Sequence, residues 1–146
     1  MADKRLFTVV EAEALIPALE VRFSRVMQLR VSLRNLYRLM EDAGYPPTPE
    51  MLVSEGGSPD VVRLRGRFRA LMESLTEELA AVEEMDVAIK DLDLGLCDFL
   101  GQMSGREVWL CWQYGEKKIE FWHELDSGFG SRQPINQEAR AERLLH

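Results

Sequence analysis

The 146 residues carry a formal net charge of −7, with 46% hydrophobic and 29% charged residues and only two cysteines. That composition is ordinary for a soluble globular chain, and a chain this long buries roughly 70% of the surface its unfolded form exposes. Two cysteines exclude a disulfide framework, no stretch approaches the roughly 20 apolar residues of a membrane span, and "MADKRLFTVVEAEALIP" holds no signal-peptide apolar run. The expected setting is reducing and cytoplasmic, in one domain spanning 1–146.

From the N-terminus, Thr8-Val9-Val10-Glu11 reads as a capping box, so a helix starts there. Pro17 removes an amide donor and crowds the carbonyl four residues earlier, which predicts a short first helix, a break, and a long helix over about 17–43. "GYPPTPE" ends it. Leu19, Val26, Leu33 and Met40 recur every seven residues, with Leu29 and Leu36 at d positions and Arg22 interrupting the seam. Ser58-Pro59 marks a second start, serine as N-cap and proline at the first helical position. Val61, Phe68, Leu75, Val82 and Ile89 form the second seven-residue series, with Leu64, Leu71 and Met85 at d. Two such ribbons predict a long antiparallel, coiled-coil-like helical hairpin over about 8–90. Apolar residues beside the seam (Phe23, Tyr37, Met72, Leu79) widen it and call for further cover, which predicts a homodimer through the hairpin.

After Lys90 the period changes from seven to two. "LDLGLCDFL", "GREVWLCWQY" and "KKIEFWHEL" predict a three-stranded antiparallel β-meander over about 91–126. Residues 127–146 read as a turn-rich loop and a short terminal helix capped by Asn136. Tyr114-Gly115-Glu116-Lys117 suits a two-residue hairpin turn, in which paired position numbers sum to 231. Trp109 then faces Trp122, Val108 faces His123, and Cys111 lies on the face opposite His123. A one-residue slip would bring Cys111 and His123 to the same face.

Candidate chemistry follows from that register. Cys111 and His123 are zinc-type ligands, but on opposite faces, without C-x-x-C spacing or a second nearby histidine, they make no metal site and no thiol–imidazole pair. Glu107, Glu120 and Glu124 read as solvated carboxylates rather than a glycosidase pair. Asp91, Asp93 and Asp98 are a thin basis for a hard-cation site. Gly128, Gly130 and Arg132 can be drawn as an anion cradle, although a turn with a structural arginine is the simpler reading. Charge is unevenly spread. Residues 30–69 hold seven arginines against five acids, and residues 70–126 hold four basic groups against fourteen acidic. The arginines gather toward one end of the predicted hairpin, where the bland reading is a solvated face and the sharper one a phosphate or acidic-partner contact. The overall acidity and the lack of any nucleic-acid motif speak against nucleic acid.

"LFTVVEAEALIP", "KDLDLGLCDF", "GREVWLCWQYGE" and "IEFWHELDSGFGSRQP" together resemble the bacterial and archaeal family called domain of unknown function 2203. The resemblance covers nearly the whole chain, the long helices matching only in pattern. It implies no reaction, substrate or cofactor, but it places Cys111, Glu116, His123 and Arg132 in the shared pattern. Where the family continues Asp-Phe with proline, this chain has Leu100, so the first β connection is expected to differ.

The expectation is therefore an α+β fold and a non-enzymatic oligomeric interaction or scaffold module, with no cofactor, no metal, no membrane contact and an unidentified protein partner. The alternative is a small-molecule, anion or metal-binding protein, or an enzyme, with a site where the sheet meets the helices. Its ligand-binding residues would be Cys111, Glu116, His123 and Arg132.

Overall fold

Thr8 begins the first helix by the predicted device: its Oγ1 accepts from the Glu11 amide at 3.1 Å while its own amide donates to the Glu11 carboxylate at 3.0 Å. The computed structural model describes residues 5–141, an α+β chain with five α-helices and one antiparallel sheet. Helix α1 (Val9–Ala14) stops at Leu15, and α2 (Ile16–Asp42) restarts with Pro17 in its first turn, where the missing amide costs no helical hydrogen bond. The end of α2 is a Schellman cap: Gly44 sits at φ +92°, Tyr45 donates to the Met40 carbonyl and Gly44 to that of Glu41. A short α3 (Pro49–Val53) occupies the connection expected to be loop, with Thr48 as its cap. Helix α4 (Pro59–Glu83) starts where Ser58-Pro59 predicts, Ser58 Oγ accepting from the Val61 amide at 3.3 Å.

The second seven-residue series overruns its helix. Val82 is its last helical member; Asp86, at φ +64°, turns the chain, and Val87–Asp91 becomes strand β1. Met85 therefore sits in the turn and Ile89 pairs with Cys97, so the helical segment does not reach 90. The β-branched Val87 and Ile89 satisfy a strand as well as a heptad, and pairing with β2 decides between them.

The sheet has five strands rather than three, in the order β1-β2-β3-β4-β5. β2 (Leu96–Met103) and β3 (Arg106–Gln113) are its long centre, and β4 (Phe121–His123) and β5 (Gln133–Pro134) are short. Of the expected first strand "LDLGLCDFL", the first four residues form the β1–β2 turn instead, in which Asp91 Oδ1 accepts from the Leu94 amide at 3.0 Å and Gly95 takes φ +67°, and only the part from Leu96 onward is strand. Ser104 and Gly105, both at positive φ, make the two-residue β2–β3 hairpin turn. At Gly101 a Cβ would come within 2.6 Å of the Leu110 side chain, so only glycine fits the pairing there.

The chain divides into two compact units, one built from the residues up to Phe23 with those from Ala81 onward, the other from Ser24–Ala80. In the first, one face of the sheet carries Cys97, Phe99, Val108, Leu110 and Trp112, all within 1% of full burial. Phe7 packs edge-on against Phe99 at 5.1 Å and Phe23 against Trp112 at 5.7 Å. Each phenylalanine-sized side chain buried here is worth roughly 1.5–3 kcal/mol. In the second unit, Leu36 and Met40 of α2 form a buried cluster with Leu64 and Phe68 of α4, flanked by Leu33 and Leu71. The two predicted ribbons meet there. Of the residues said to widen them, Phe23 is buried and Leu79 half-buried, whereas Tyr37 and Met72 remain 42% and 44% exposed.

Two of the seven arginines do structural work in this second unit. Arg65 is 4% exposed and donates to the Gly56 carbonyl at 2.7 Å and to Ser54 Oγ at 3.4 Å. Arg69 donates to the carbonyls of Leu52 and Ser54. Both tie the α3–α4 connection to α4, and a phosphate would have to displace these acceptors to reach either guanidinium.

Candidate functional site

The geometry of the site turns on the β3–β4 connection. The predicted two-residue turn centred on Gly115-Glu116 does not form. Instead Glu116 donates its amide to the Gln113 carbonyl, making a turn over 113–116 with Gly115 third at φ +104°, the position where a type II turn wants glycine. The Glu116 side chain then accepts from the Gln113 amide at 2.6 Å, occupying a donor that a continuing ladder would use. Lys117 pairs with Glu20 at 2.9 Å, and the Ile119 amide donates to the Glu13 carboxylate at 3.1 Å, so this segment leaves the sheet for the helices. Pairing resumes at Phe121 with Cys111↔Phe121, Leu110↔Trp122 and Trp109↔His123. The sum is now 232, not 231. That slip moves His123 to the face of Trp109 and Cys111, and Trp122 away from Trp109, overturning both the opposite-face assignment and the tryptophan pair.

Asp98 pairs directly with Cys111 across β2–β3 and so shares this face. The result is a buried trio: Cys111 at 1%, Asp98 at 2% and His123 at 3% exposure, with one ligand-type atom from each lying within 4.8 Å of the others. His123 Nε2 is 2.9 Å from Asp98 Oδ2, and Nδ1 is 2.9 Å from the Glu124 carbonyl oxygen. A carbonyl can only accept, so Nδ1 carries a proton and Nε2 is the nitrogen turned toward the cluster. Burial raises the Asp98 carboxyl above its ordinary range, although His123 and the Cys111 thiol both hydrogen-bond to it and oppose the shift. The Cys111 thiol is pushed up to about 11, by burial first and then by the neighbouring Asp98 charge, with Arg132 pulling the other way. Neutral at pH 7, and with both imidazole nitrogens engaged elsewhere, Cys111 is not an activated nucleophile.

Arg132 arrives from the loop after β4, past a 3-10 turn at Phe129–Ser131. It makes a forked pair with Glu116, at 3.0 and 3.3 Å, and its Nη1 lies 3.8 Å from Cys111 Sγ. Its guanidinium is sandwiched between Phe121 and Phe129, 3.9 and 4.4 Å from the ring centres, each contact worth about 0.5–2 kcal/mol. Burial works against its charge, but Glu116 and Cys111 outweigh it and the guanidinium is held more firmly protonated than usual. Gly128 and Gly130 have ordinary negative-φ or extended backbone and form no anion nest, and the Arg132 guanidinium already has a carboxylate partner in Glu116.

Beside the trio lies a cavity of about 120 Å³, with Asp98, Cys111 and His123 in its lining, apolar walls from Leu96, Trp109, Leu125 and Phe129, and Lys90 at its edge. Lys90 Nζ sits 4.3 Å above the Trp109 ring. Drug-sized sites run to roughly 300–1,000 Å³, so this one suits an ion, a few waters or a very small molecule. Thus the four residues singled out from sequence converge: Glu116, Arg132 and Cys111 in one chain of contacts, and His123 joined to Cys111 through Asp98. Asp98 itself was expected only beside Asp91 and Asp93; Asp91 instead caps the β1–β2 turn and the trio of aspartates does not assemble. The usable signal was an ionisable residue centred in the apolar run "LCDFL", where alternation forces its burial. Glu124 makes an exposed ion pair with Arg106, in keeping with the reading of these glutamates as surface carboxylates rather than a glycosidase pair.

The fold and site define an α+β protein whose antiparallel sheet keeps apolar packing on one face and a buried acid–thiol–imidazole cluster on the other. The chain matches the family described as an uncharacterized conserved protein, DUF2203, over residues 5–135, and it belongs to that family. No curated protein and no solved structure matches it. Among the described residues, no helix is long and apolar enough to cross a membrane.

Proposed function

We propose that this is a binding protein for an ion or very small molecule, with the pocket over Asp98, Cys111 and His123 as its site. One observation carries the reading: three unlike donor groups, each almost fully buried, meet at the lining of a small cavity. Burying ionisable groups is costly unless they are paired, and apolar residues of similar volume would pack a purely structural sheet face at less cost. The reading drops catalysis by a cysteine nucleophile, because His123 has no nitrogen left to take the thiol proton. Amide NMR of labelled protein titrated with small anions and fragments tests it. Shifts are expected at Cys111, His123, Phe129 and the Trp109 indole. Titrations that leave those signals in place while moving others would overturn it.

A second reading, self-association as an interaction or scaffold module, is favoured by a separate observation in the Ser24–Ala80 unit. Val31, Tyr37, Leu39 and Met72 are 42–52% exposed, and an open groove of about 600 Å³ runs along Met27, Leu29, Val31 and Leu71. On this reading two copies cover each other's helical stripes and bury these side chains. Light scattering that gives a monodisperse monomer across the micromolar range removes it.

A further inference from the structure

We propose that Asp98, Cys111 and His123 form a three-ligand site for a zinc-class divalent cation, with the fourth coordination position opening into the pocket. The proposal deepens the binding-site reading and rests on it. The first argument is geometric. Donors on a tetrahedron with bonds of 2.0–2.3 Å lie roughly 3.3–3.8 Å apart, so a trio already within 4.8 Å needs shifts of only about 1 Å to close on an ion. The 2.9 Å Nε2–Oδ2 contact would open slightly as the ion replaces the proton between them.

The donor set is the second argument. One imidazole nitrogen, one thiol sulfur and one carboxylate oxygen suit a borderline cation. A single protein oxygen is too few for calcium, a thiol and an imidazole are poor ligands for magnesium, and a single sulfur is too few for an iron–sulfur cluster. A carboxylate and a thiolate together neutralise a divalent charge, which is what a buried site requires. Third, outer supports are in place on two of the three ligands. Glu124 fixes the His123 tautomer by accepting from Nδ1, leaving Nε2 for the ion, and Arg132 reaches the sulfur at 3.8 Å. Arg132 is itself held by Glu116, so it can support a thiolate without moving. Last, a purely structural hydrogen-bond network would have no reason to border an opening, whereas three ligands with a cavity beside them is the arrangement of a site that keeps a position for water or a small ligand. Lys90 at the cavity edge favours an anion or hydroxide there.

The full-length protein, stripped with chelator and titrated with cobalt(II), gives the test. Expected are one equivalent bound, the intense visible bands of tetrahedral cobalt, and a thiolate-to-cobalt charge-transfer band in the near ultraviolet, all displaced by zinc(II). Cys111→Ser should lose the charge-transfer band while its circular dichroism stays that of the wild type, and Cys97→Ala should keep it. His123→Gln and Asp98→Asn should weaken binding by at least about tenfold, the lower bound for losing even an outer-shell partner. Wild-type protein showing only the pale spectrum of six-coordinate cobalt overturns the proposal, as does a charge-transfer band that survives Cys111→Ser. If cobalt and zinc fail to bind while small anions still shift the amides of Cys111 and His123, the metal assignment falls and the pocket reading stands. If neither binds, both fall.

Discussion

The two faces of the sheet come from the same strands and differ in almost everything else. Adjacent cross-strand pairs make the contrast plain: Cys97 pairs with Trp112 on one face, and Asp98 with Cys111 on the other. Cys97 is fully buried against apolar side chains, and burial drives its thiol well above the usual range. Cys111 is as buried, yet it touches Arg132, Asp98 and the pocket. A side chain's neighbours, not its degree of burial, decide whether it packs or binds. The first face is held by area and shape; the second is held by charge compensation.

The largest expected effect separates the two tryptophans of β3. Trp112→Ala should cost about 3–5 kcal/mol, the range for deleting a large aromatic from a packed core, read as a lowered urea midpoint. Trp109, half-buried beside the pocket, should cost about 1 kcal/mol when changed to alanine, an average value for a single substitution, while ligand or cobalt binding weakens. Equal losses at the two positions would mean the faces do not differ as described.

Next in size is the Arg132–Glu116 pair. Arg132→Met leaves Glu116 without its charged partner, the Gln113 amide remaining, and a loss of about 1.5–3 kcal/mol is expected for charged hydrogen bonds in a partly exposed setting. A double-mutant cycle with Glu116→Gln should return much of it as coupling. Additive losses would show that the guanidinium stays for its aromatic sandwich instead. The cysteines give a third comparison. Cys97→Ser places a hydroxyl in an apolar face and should cost about 1–3 kcal/mol, measured by urea unfolding under reducing conditions. Cys111→Ser finds Asp98 and Arg132 as partners and should cost less.

Much of the first face was legible in the sequence and much of the second was not. The alternation in "REVWLCWQ" assigns Val108, Leu110 and Trp112 to the core unaided, and all three are buried there. The helices start where Thr8 and Ser58-Pro59 place them because caps are local chemistry. The β3–β4 register is not local. It depends on Glu116 bonding the Gln113 amide and on Glu13, about a hundred residues earlier, taking the Ile119 amide. A tight turn at Gly115 fits the sequence equally well and is off by one residue, and one residue is enough to separate His123 from Cys111. The strand at Val87–Asp91 was hidden for a related reason, since Ile89 continues a heptad as readily as it begins a strand. The four candidate residues drawn from the family pattern lie together, but the aspartate that links two of them became visible only once β2 had a partner.

The smallest effect probes whether the faces are independent. Thr8 follows Phe7, whose ring packs on Phe99, so loosening the cap of α1 acts first on the apolar face, and reaches the other only if Glu13 of the same helix loses its hold on the Ile119 amide. Thr8→Ala should cost about 1 kcal/mol, the usual value of an N-cap. Both partners of the capping box contribute: the Thr8 amide and hydroxyl hydrogen-bond to Glu11 and hold its carboxyl below the ordinary range. A carboxyl depressed in the folded state adds stability that is present above its unfolded value of 4.5 and is lost as pH falls through the lowered folded value. The gap between wild type and Glu11→Gln should therefore be full at pH 6 and shrink as pH falls below about 4.5. Urea midpoints across that interval measure it, and cobalt binding at pH 7 should be the same in both proteins. A cap variant that changed the cobalt spectrum would show that strain on the helix-packed side reaches the cluster, through β2 and β3 or through Glu13 and the β3–β4 connection, and the two faces would then be one cooperative unit rather than two.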